Sequence, residues 1–433
     1  MKSTLASDSP IPFDPVCDTL KPGKTRQVII ASSLGNGLEI YDFTVYSFFA
    51  VIIGQLFFPS GSALASLLMS LATFAVGFVM RPLGALLIGR VADRRGRKAA
   101  LSLTIALMTA GTGIIAFTPT YASIGISASV LLVLARLLQG LSVGGEVGCA
   151  SAFLMESAST HRRCFMVSWQ GASQGAAALL GAGTGLLLTS SLSAESLLSW
   201  GWRVPFVIGL LIGPVGWFIR QHLDETHASP EVAPSLIQLL REHGRTLVLG
   251  IGWMASTTVT MYMVVYYMPT YLTQTLGRPQ GFGFALVGLA SALLTVITPI
   301  AGRQADRFKR RKPLLYVVTG LALLTVYPAF LLLSQANSWL CVVAITLLIL
   351  PLAIGLAPSM AMLMEAFPRE QRVTGLSIIY SLGVTLFGGF SPLLVTWLIG
   401  VTGNPLTPAL YLMAATAVSL AALRLLPEHP GRH

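Results

Sequence analysis

The sequence predicts an all-α membrane protein with twelve transmembrane helices arranged as two six-helix bundles. Three observations carry that expectation. The first is composition: of 433 residues, 54% are apolar and only 10% are charged, against about 25% charged in an ordinary soluble domain. Charge this sparse cannot cover a soluble globule of that size, which argues against a soluble enzyme and makes lipid the outer solvent. The second is a series of apolar runs, each near the roughly 20 residues that cross a bilayer. The third is a basic motif that recurs late in the chain. The 42 glycines and 24 prolines agree with this reading, because neighbouring membrane helices re-satisfy the backbone groups that such residues free.

Taken in order, residues 1–26 hold three acids, four bases and four prolines and no apolar core. They are expected to be a cytoplasmic tail rather than a cleavable signal, with the first span acting as the insertion signal. Spans are then predicted at 27–56, 63–90, 97–118, 126–155, 164–189 and 202–221, forming a bundle over 27–221. The longest connection, 222–244, contains Asp224, Glu225, Pro230, Glu231, Pro234 and Arg241 and reads as a cytoplasmic linker. The second bundle, 245–426, holds spans at 245–275, 281–302, 312–334, 338–366, 371–400 and 407–426, followed by a cytoplasmic tail over 427–433.

Basic residues set the orientation. With both tails and every even-to-odd loop on one side, that side holds 24 of the 28 Lys and Arg. The other four are Arg81, Arg136, Arg203 and Arg278. The positive-inside rule then puts both termini in the cytoplasm, and the net charge of +11 needs no nucleic-acid partner.

The halves echo each other. Gly89-Arg-Val-Ala-Asp93-Arg-Arg-Gly-Arg97-Lys98-Ala-Ala-Leu101 recurs 213 residues later as Gly302-Arg-Gln-Ala-Asp306-Arg-Phe-Lys-Arg310-Arg-Lys-Pro-Leu314, with seven of thirteen positions identical. Each copy joins the second and third span of its half, as a tandem duplication requires. Repeated bundles around a midplane site are the geometry of alternating access.

The first copy resembles the loop signature of the major facilitator superfamily, and the second is weaker where Lys309 replaces a glycine. Further strings resemble the metabolite–proton symporter branch: Gly35-Asn36-Gly-Leu-Glu39-Ile-Tyr41-Asp42-Phe43, Arg81-Pro82-Leu-Gly84, Arg136-Leu-Leu-Gln139-Gly140 running to Glu146, and Gly201-Trp202-Arg203-Val-Pro205-Phe206. Three stretches are most similar to citrate and tricarballylate–proton symporters. They are Ser168-Trp169-Gln170 to Gln174, Thr257 to Thr270, and Tyr380-Ser381-Leu382 running to Pro392. The start of the first span, Phe43 to Phe48, instead resembles the 2-oxoglutarate members.

Charges within the predicted spans point to the chemistry. They are Glu39, Asp42, Arg81, Arg136 and Glu146, all in the first half. Facing lipid at mid-depth, each would cost about 2.5–3.5 kcal/mol, so they are expected to face a wet cavity or one another. A structural ion-pair cluster is the plain alternative. All six histidines, from His161 to His433, fall in loops or tails, so a proton carrier has to be a carboxylate. Asp42 lies 16 residues beyond Arg26, about 24 Å along a helix and near mid-membrane. Competition between a proton and Arg136 for Asp42 would make a switch. The resemblance implies the same pairing, since in related symporters a first-span aspartate faces a fourth-span arginine. Glu39 and Glu146 are the further proton-coupling candidates.

Arg81 leads as substrate clamp because a guanidinium offers a carboxylate a planar, permanently charged fork. Arg136 is second. Asn36, Gln139, Gln170 and Gln174 would supply neutral donors, with interhelical hydrogen bonding as the alternative. Thr258, Tyr262 and Tyr266 fall at i, i+4 and i+8 and form a polar stripe, to which Tyr380 and Ser381 add hydroxyls. In the repeated loops, Asp93, Arg97, Asp306 and Arg310 are expected to latch the cytoplasmic side. Arg203, near the outer end of the sixth span, suits a helix-end packing or entrance role and substrate contact equally. The four cysteines are scattered and read as apolar fillers. No Walker loop, GxSxG or metal-ligand spacing appears, so no enzyme, metal or cofactor is expected.

The expectation is a monomeric, proton-coupled importer of a small polycarboxylate, citrate or a related tricarboxylate, in a bacterial-type inner membrane. Its partners would be the carboxylate, protons and membrane lipid. Two alternatives stand beside it. One is a symporter for a dicarboxylate or a zwitterionic osmolyte, and the other is a transporter-like sensor that moves nothing.

Overall fold

The computed structural model describes residues 22–427, apart from 96, 144–150, 152–153, 156–157, 159, 211–212, 214–235, 309 and 369–370. Among the described residues, every regular element is a helix. The first half contains α1 (Pro22–Phe48), α2 (Ala50–Phe57), α3 (Ala63–Val79), α4 (Arg81–Arg95), α5 (Arg97–Phe117), α6 (Ile126–Val143) and α7 (Arg163–Ser191). A further helical run covers 204–210. The second half contains α8 (Leu236–Thr260), α9 (Met268–Gln274), α10 (Gln280–Ala305), α11 (Lys312–Leu333), α12 (Ser338–Glu365), α13 (Arg372–Gly383), α14 (Ser391–Thr402) and α15 (Thr407–Leu425).

Eight helices among the described residues are long and apolar enough to cross a membrane, or nine if one bent pair counts as a single span. The bent pair replaces the straight first helix expected over 27–56: α1 and α2 meet at 67°. The bend seats Phe48 and Phe49 against Phe284 of α10, at centroid distances of 5.6 and 5.9 Å. Helix α7 runs for 29 residues but is not among the eight. Its Gln170, Gln174 and many glycines dilute the apolar signal while still burying against neighbours. Of the span expected at 202–221, the part over 211–212 and 214–221 lies outside the described residues. Helix α8 begins inside the segment read as a linker, with a break in helical geometry at His243 (φ −122°, ψ 16°).

These helices are apolar on both faces. On α11, Leu315, Val318, Val326 and Ala329 pack inward, while Val317, Leu321 and Leu324 point outward and are 69%, 49% and 74% exposed. A soluble bundle would place polar side chains there. The two halves meet mainly where α7 packs along α10, with α12 also against α7.

Two turns among the described residues are wider than α geometry. Met261–Tyr267, which joins α8 to α9, and Val384–Gly389, which joins α13 to α14, are π-helical. The stripe of Thr258, Tyr262 and Tyr266 was expected on an unbroken α-helix, and a wider turn carries it instead. π-Turns are rare and recur at functional sites. Both of these border the cavity between the halves.

Candidate functional site

That cavity, of about 50 Å³, lies between α1, α4 and α7 on one side and α8, α12, α13 and both π-turns on the other. Of the site residues expected from sequence, Arg81, Gln170, Gln174, Thr258, Tyr262, Tyr266 and Tyr380 line it. Residues distant in sequence within each half, such as Arg81 with Gln174 and Thr258 with Tyr380, thus converge on one chamber.

Arg81 projects from the start of α4 and is 3% exposed. Its guanidinium carbon sits 4.3 Å from the Phe78 ring centroid and 5.0 Å from that of Phe43. Nη2 lies 3.9 Å from Glu39 Oε1. Cation–π contact with two rings fixes the direction of the fork. Arg81 Nε, Gln170 Nε2 and Thr258 Oγ1 are buried and have no hydrogen-bond partner among the described residues. Buried donors are normally satisfied, and these three converge on one chamber.

The opposite wall is aromatic. Tyr262 packs edge-on against Phe78 at 5.5 Å and against Tyr266 at 4.9 Å. Helix approach at this wall depends on Gly388 in the second π-turn: a Cβ there would sit 2.7 Å from a Tyr262 ring carbon and 2.9 Å from Thr258 Cγ2. Across the halves, Thr385 Oγ1 donates to the Phe78 carbonyl at 3.0 Å, and Ser47 Oγ to that of Tyr266 at 3.1 Å.

The remaining predicted residues lie behind the lining. Asn36 Nδ2 donates to the Gln170 carbonyl (3.1 Å) and to Ser173 Oγ (2.8 Å), tying α1 to α7. Ser381 is buried on α13 but is not part of the lining. Arg136 is fully buried, over the rings of Phe43, Tyr46 and Phe74 at 4.4, 4.5 and 5.1 Å. Its Nη1 donates to Gln139 Oε1 at 2.7 Å, and Gln139 Nε2 donates to Thr112 Oγ1 at 3.0 Å. Thr112 donates in turn to Asp42 Oδ2. Asp42 and Arg136 are therefore joined through two intermediaries and not by a direct ion pair. Nothing in the sequence patterns singled out Thr112, one threonine in an otherwise ordinary apolar span. Glu146 lies outside the described residues. Arg203 donates to the carbonyls of Ser199 and Thr118 and covers Trp202, a helix-end packing arrangement.

At the end of the molecule assigned to the cytoplasm, Asp306 accepts from the backbone amides of Cys164 (2.8 Å) and Phe165 (2.9 Å). A carboxylate of the second half thus caps the N-terminus of α7 in the first half, where amides and helix dipole favour negative charge. Burial pushes the Asp306 carboxyl up, against the pull of those two amides. Beside it, Glu365 accepts from Arg163 of the first half at 3.3 Å and from Arg311 of the second. Sequence reasoning missed this bridge, although an acid closing the apolar run of α12 was there to be read. Arg310 is exposed. The side chains of Asp93 and Arg97 lie outside those described.

A bundle of long apolar helices enclosing a buried chamber, with side-chain contacts between the halves at one end, defines a polytopic membrane carrier rather than an enzyme. Comparison with known proteins supplies the family. The Major Facilitator Superfamily profile matches residues 32–327 and 281–433, and the chain belongs to that superfamily. The citrate-proton symporter of Klebsiella pneumoniae is 36% identical over 406 residues, covering 91% of this chain and 90% of that protein. The proline/betaine transporter of Salmonella typhimurium LT2 is 35% identical over 416 residues, covering 92% and 82%. The fold also matches the xylose transporter XylE from E. coli in a partially occluded inward-open conformation, with a TM-score of 0.75 at 18% identity, covering 95% and 100%.

Proposed function

We propose that this protein is a proton-coupled importer of a small polycarboxylate, citrate or a related tricarboxylate, working by alternating access. The observation that carries the reading is the convergence of unpartnered buried donors, Arg81 Nε, Gln170 Nε2 and Thr258 Oγ1, on the chamber between the halves. A carboxylate is the acceptor that such donors suit. Arg81 is the clamp, Gln174, Tyr262, Tyr266 and Tyr380 complete the lining, Asn36 holds Gln170 from behind, and Gln139 holds Arg136, while Ser381 is buried on α13 outside the lining. The names of similar proteins, citrate-proton symporters among them, agree with this choice.

In the full reading, twelve spans form bundles over 27–221 and 245–426, with both termini in the cytoplasm of a bacterial inner membrane and one chain per functional unit. Asp42 carries the coupling proton, with Arg136 as its switch and Glu39 and Glu146 as auxiliary acids. An inside-negative potential opposes anion influx by about 2.3 kcal/mol per charge per 100 mV, so a polycarboxylate needs accompanying protons. Asp306 with Arg310, and Asp93 with Arg97, close the cytoplasmic side.

A second reading has a specific observation behind it. Arg81 shares the site with Glu39 at 3.9 Å, and Tyr262 and Tyr266 offer ring faces that suit an alkylated ammonium. That is the chemistry of a zwitterion, and a proline/betaine transporter is also among the similar proteins. The test is uptake of labelled citrate, dicarboxylates and betaine into proteoliposomes under an imposed pH gradient. Acid-driven accumulation of citrate is expected in the wild type. Asp42→Asn should lose it while still exchanging internal for external substrate. Citrate accumulation by Asp42→Asn would move the proton site elsewhere, and betaine uptake without citrate uptake would select the second reading.

A further inference from the structure

We propose that Thr112 is the positioning residue that transmits protonation of Asp42 to Arg136, with Gln139 as the second link. This rests on the reading of Asp42 as proton carrier. Arg136 Nη1, Gln139 Nε2 and Thr112 Oγ1 form a chain in which every donor points toward the Asp42 carboxylate. A chain aligned in one direction is cooperative, because each bond polarises the next. All four side chains are buried, on α1, α5 and α6, away from the chamber lining. Asp42 is also pinned from its other side: a Cβ on Gly209 would sit 2.4 Å from Asp42 Oδ1.

Thr112 is suited to switch because its single hydroxyl hydrogen has two acceptors. Besides Asp42 Oδ2, the Met108 carbonyl lies 3.0 Å away. Ionised Asp42 takes that hydrogen. Protonated Asp42 has a hydrogen of its own to donate, and Thr112 Oγ1 receives it on its second lone pair, the first being used by Gln139. The Thr112 hydrogen then turns to Met108. No proton travels along the bridge; one hydroxyl reorients, and the new proton stays on Asp42.

The chain loses its single direction in that state, and Gln139 grips Arg136 less firmly. Arg136 Nε and Nη2 have no hydrogen-bond partner among the described residues. Its guanidinium shares the Phe43 ring with Arg81, at 4.4 and 5.0 Å. A shift of Arg136 is therefore felt, through one ring, by the guanidinium that lines the chamber. The charged and titratable groups facing this bridge are Tyr41 and Arg136 at Asp42, and Tyr46, Arg81 and Tyr262 around Arg136. Tyr41 and Tyr46 already donate to the carbonyls of Pro205 (3.1 Å) and Ser70 (3.2 Å), so neither replaces Thr112.

Acid-minus-neutral difference infrared spectroscopy on the full chain in lipid vesicles reads both ends without any substrate. The Asp42 carboxyl band is assigned by its loss in Asp42→Asn, and the Arg136 guanidinium band by its loss in Arg136→Lys. In the wild type, both bands should respond over the same pH interval. In Thr112→Val, the carboxyl band should persist at higher wavenumber while the guanidinium response falls about tenfold. Thr112→Ser should restore it. An undiminished guanidinium response in Thr112→Val would overturn the proposal. Equal loss of both bands in the Val and Ser variants would also overturn it, by assigning Thr112 to packing. Absence of an Asp42 band in the wild type would refute the proton-carrier reading, and the bridge with it.

Discussion

Replacing Arg81 with lysine keeps the charge and discards the geometry, which makes it the sharpest perturbation of the chamber. The guanidinium is held over Phe78 and Phe43 at 4.3 and 5.0 Å, with Nη2 facing Glu39 at 3.9 Å. A lysine ammonium offers no flat face to the rings and only one point contact to a carboxylate. Losing one charge-assisted hydrogen bond costs about 1.5–3 kcal/mol. Weaker ring stacking adds roughly 0.5–1 kcal/mol. At about 1.4 kcal/mol per tenfold, the apparent affinity for citrate should fall roughly 30- to 700-fold. The assay is counterflow in proteoliposomes over a range of external citrate. Melting of the purified variant within a few degrees of wild type would separate binding from folding. Wild-type affinity in Arg81→Lys would refute the clamp, because no carboxylate held by that fork could ignore its loss.

Three further outcomes follow from the geometry. Asp306→Asn removes the charge that caps α7 from the opposite half and should weaken the latch by about 1–2 kcal/mol. Alkylation of the buried Cys164, in a chain whose other three cysteines are serine, should then accelerate about 5- to 30-fold. An unchanged rate would reduce Asp306 to a surface anchor. Gly388→Ala pushes a methyl group against Tyr262 and Thr258, at 2.7 and 2.9 Å. It should cost about 1–3 kcal/mol of stability, visible as a lower melting temperature, and abolish uptake; wild-type uptake would mean that the wall is loose. Glu365→Gln should weaken the bridge to Arg163 and Arg311 and raise Cys164 alkylation alongside Asp306→Asn, whereas a rise in only one variant would show that the two contacts act separately.

Much of this was legible in sequence because buried charge in an apolar chain is expensive and therefore rare. Arg81, Gln170, Gln174, Thr258, Tyr262, Tyr266 and Tyr380 stood out as polar atoms in lipid-length runs, and all seven reach the chamber. What stayed hidden depends on distances between helices. Thr112 resembles any threonine that bonds its own helix, and it does bond Met108; only the arrival of α1 and α6 gives it a second role. The π-turns at Met261–Tyr267 and Val384–Gly389 carry no mark in sequence beyond nearby glycines and aromatics. Helix α7 shows the reverse, a helix whose polar lining dilutes the hydropathy by which spans are recognised.

The chamber's unequal walls bear on how such proteins diversify. Its charged groups, Arg81 with Glu39 beside it, come from the first half, while the second contributes Thr258, Tyr262, Tyr266, Tyr380 and the thioethers of Met254, Met261 and Met360. Mutations at well-separated positions with no shared partners combine nearly additively. Tyr262 shares Phe74 with Arg136 and is coupled to it, whereas drift at Tyr380, Met254 and Met360 would alter which molecule fits while leaving the proposed Asp42–Arg136 switch intact. One lineage can acquire new diets by rewriting a few neutral side chains, and proteins about equally similar to this one carry both citrate and proline/betaine in their names.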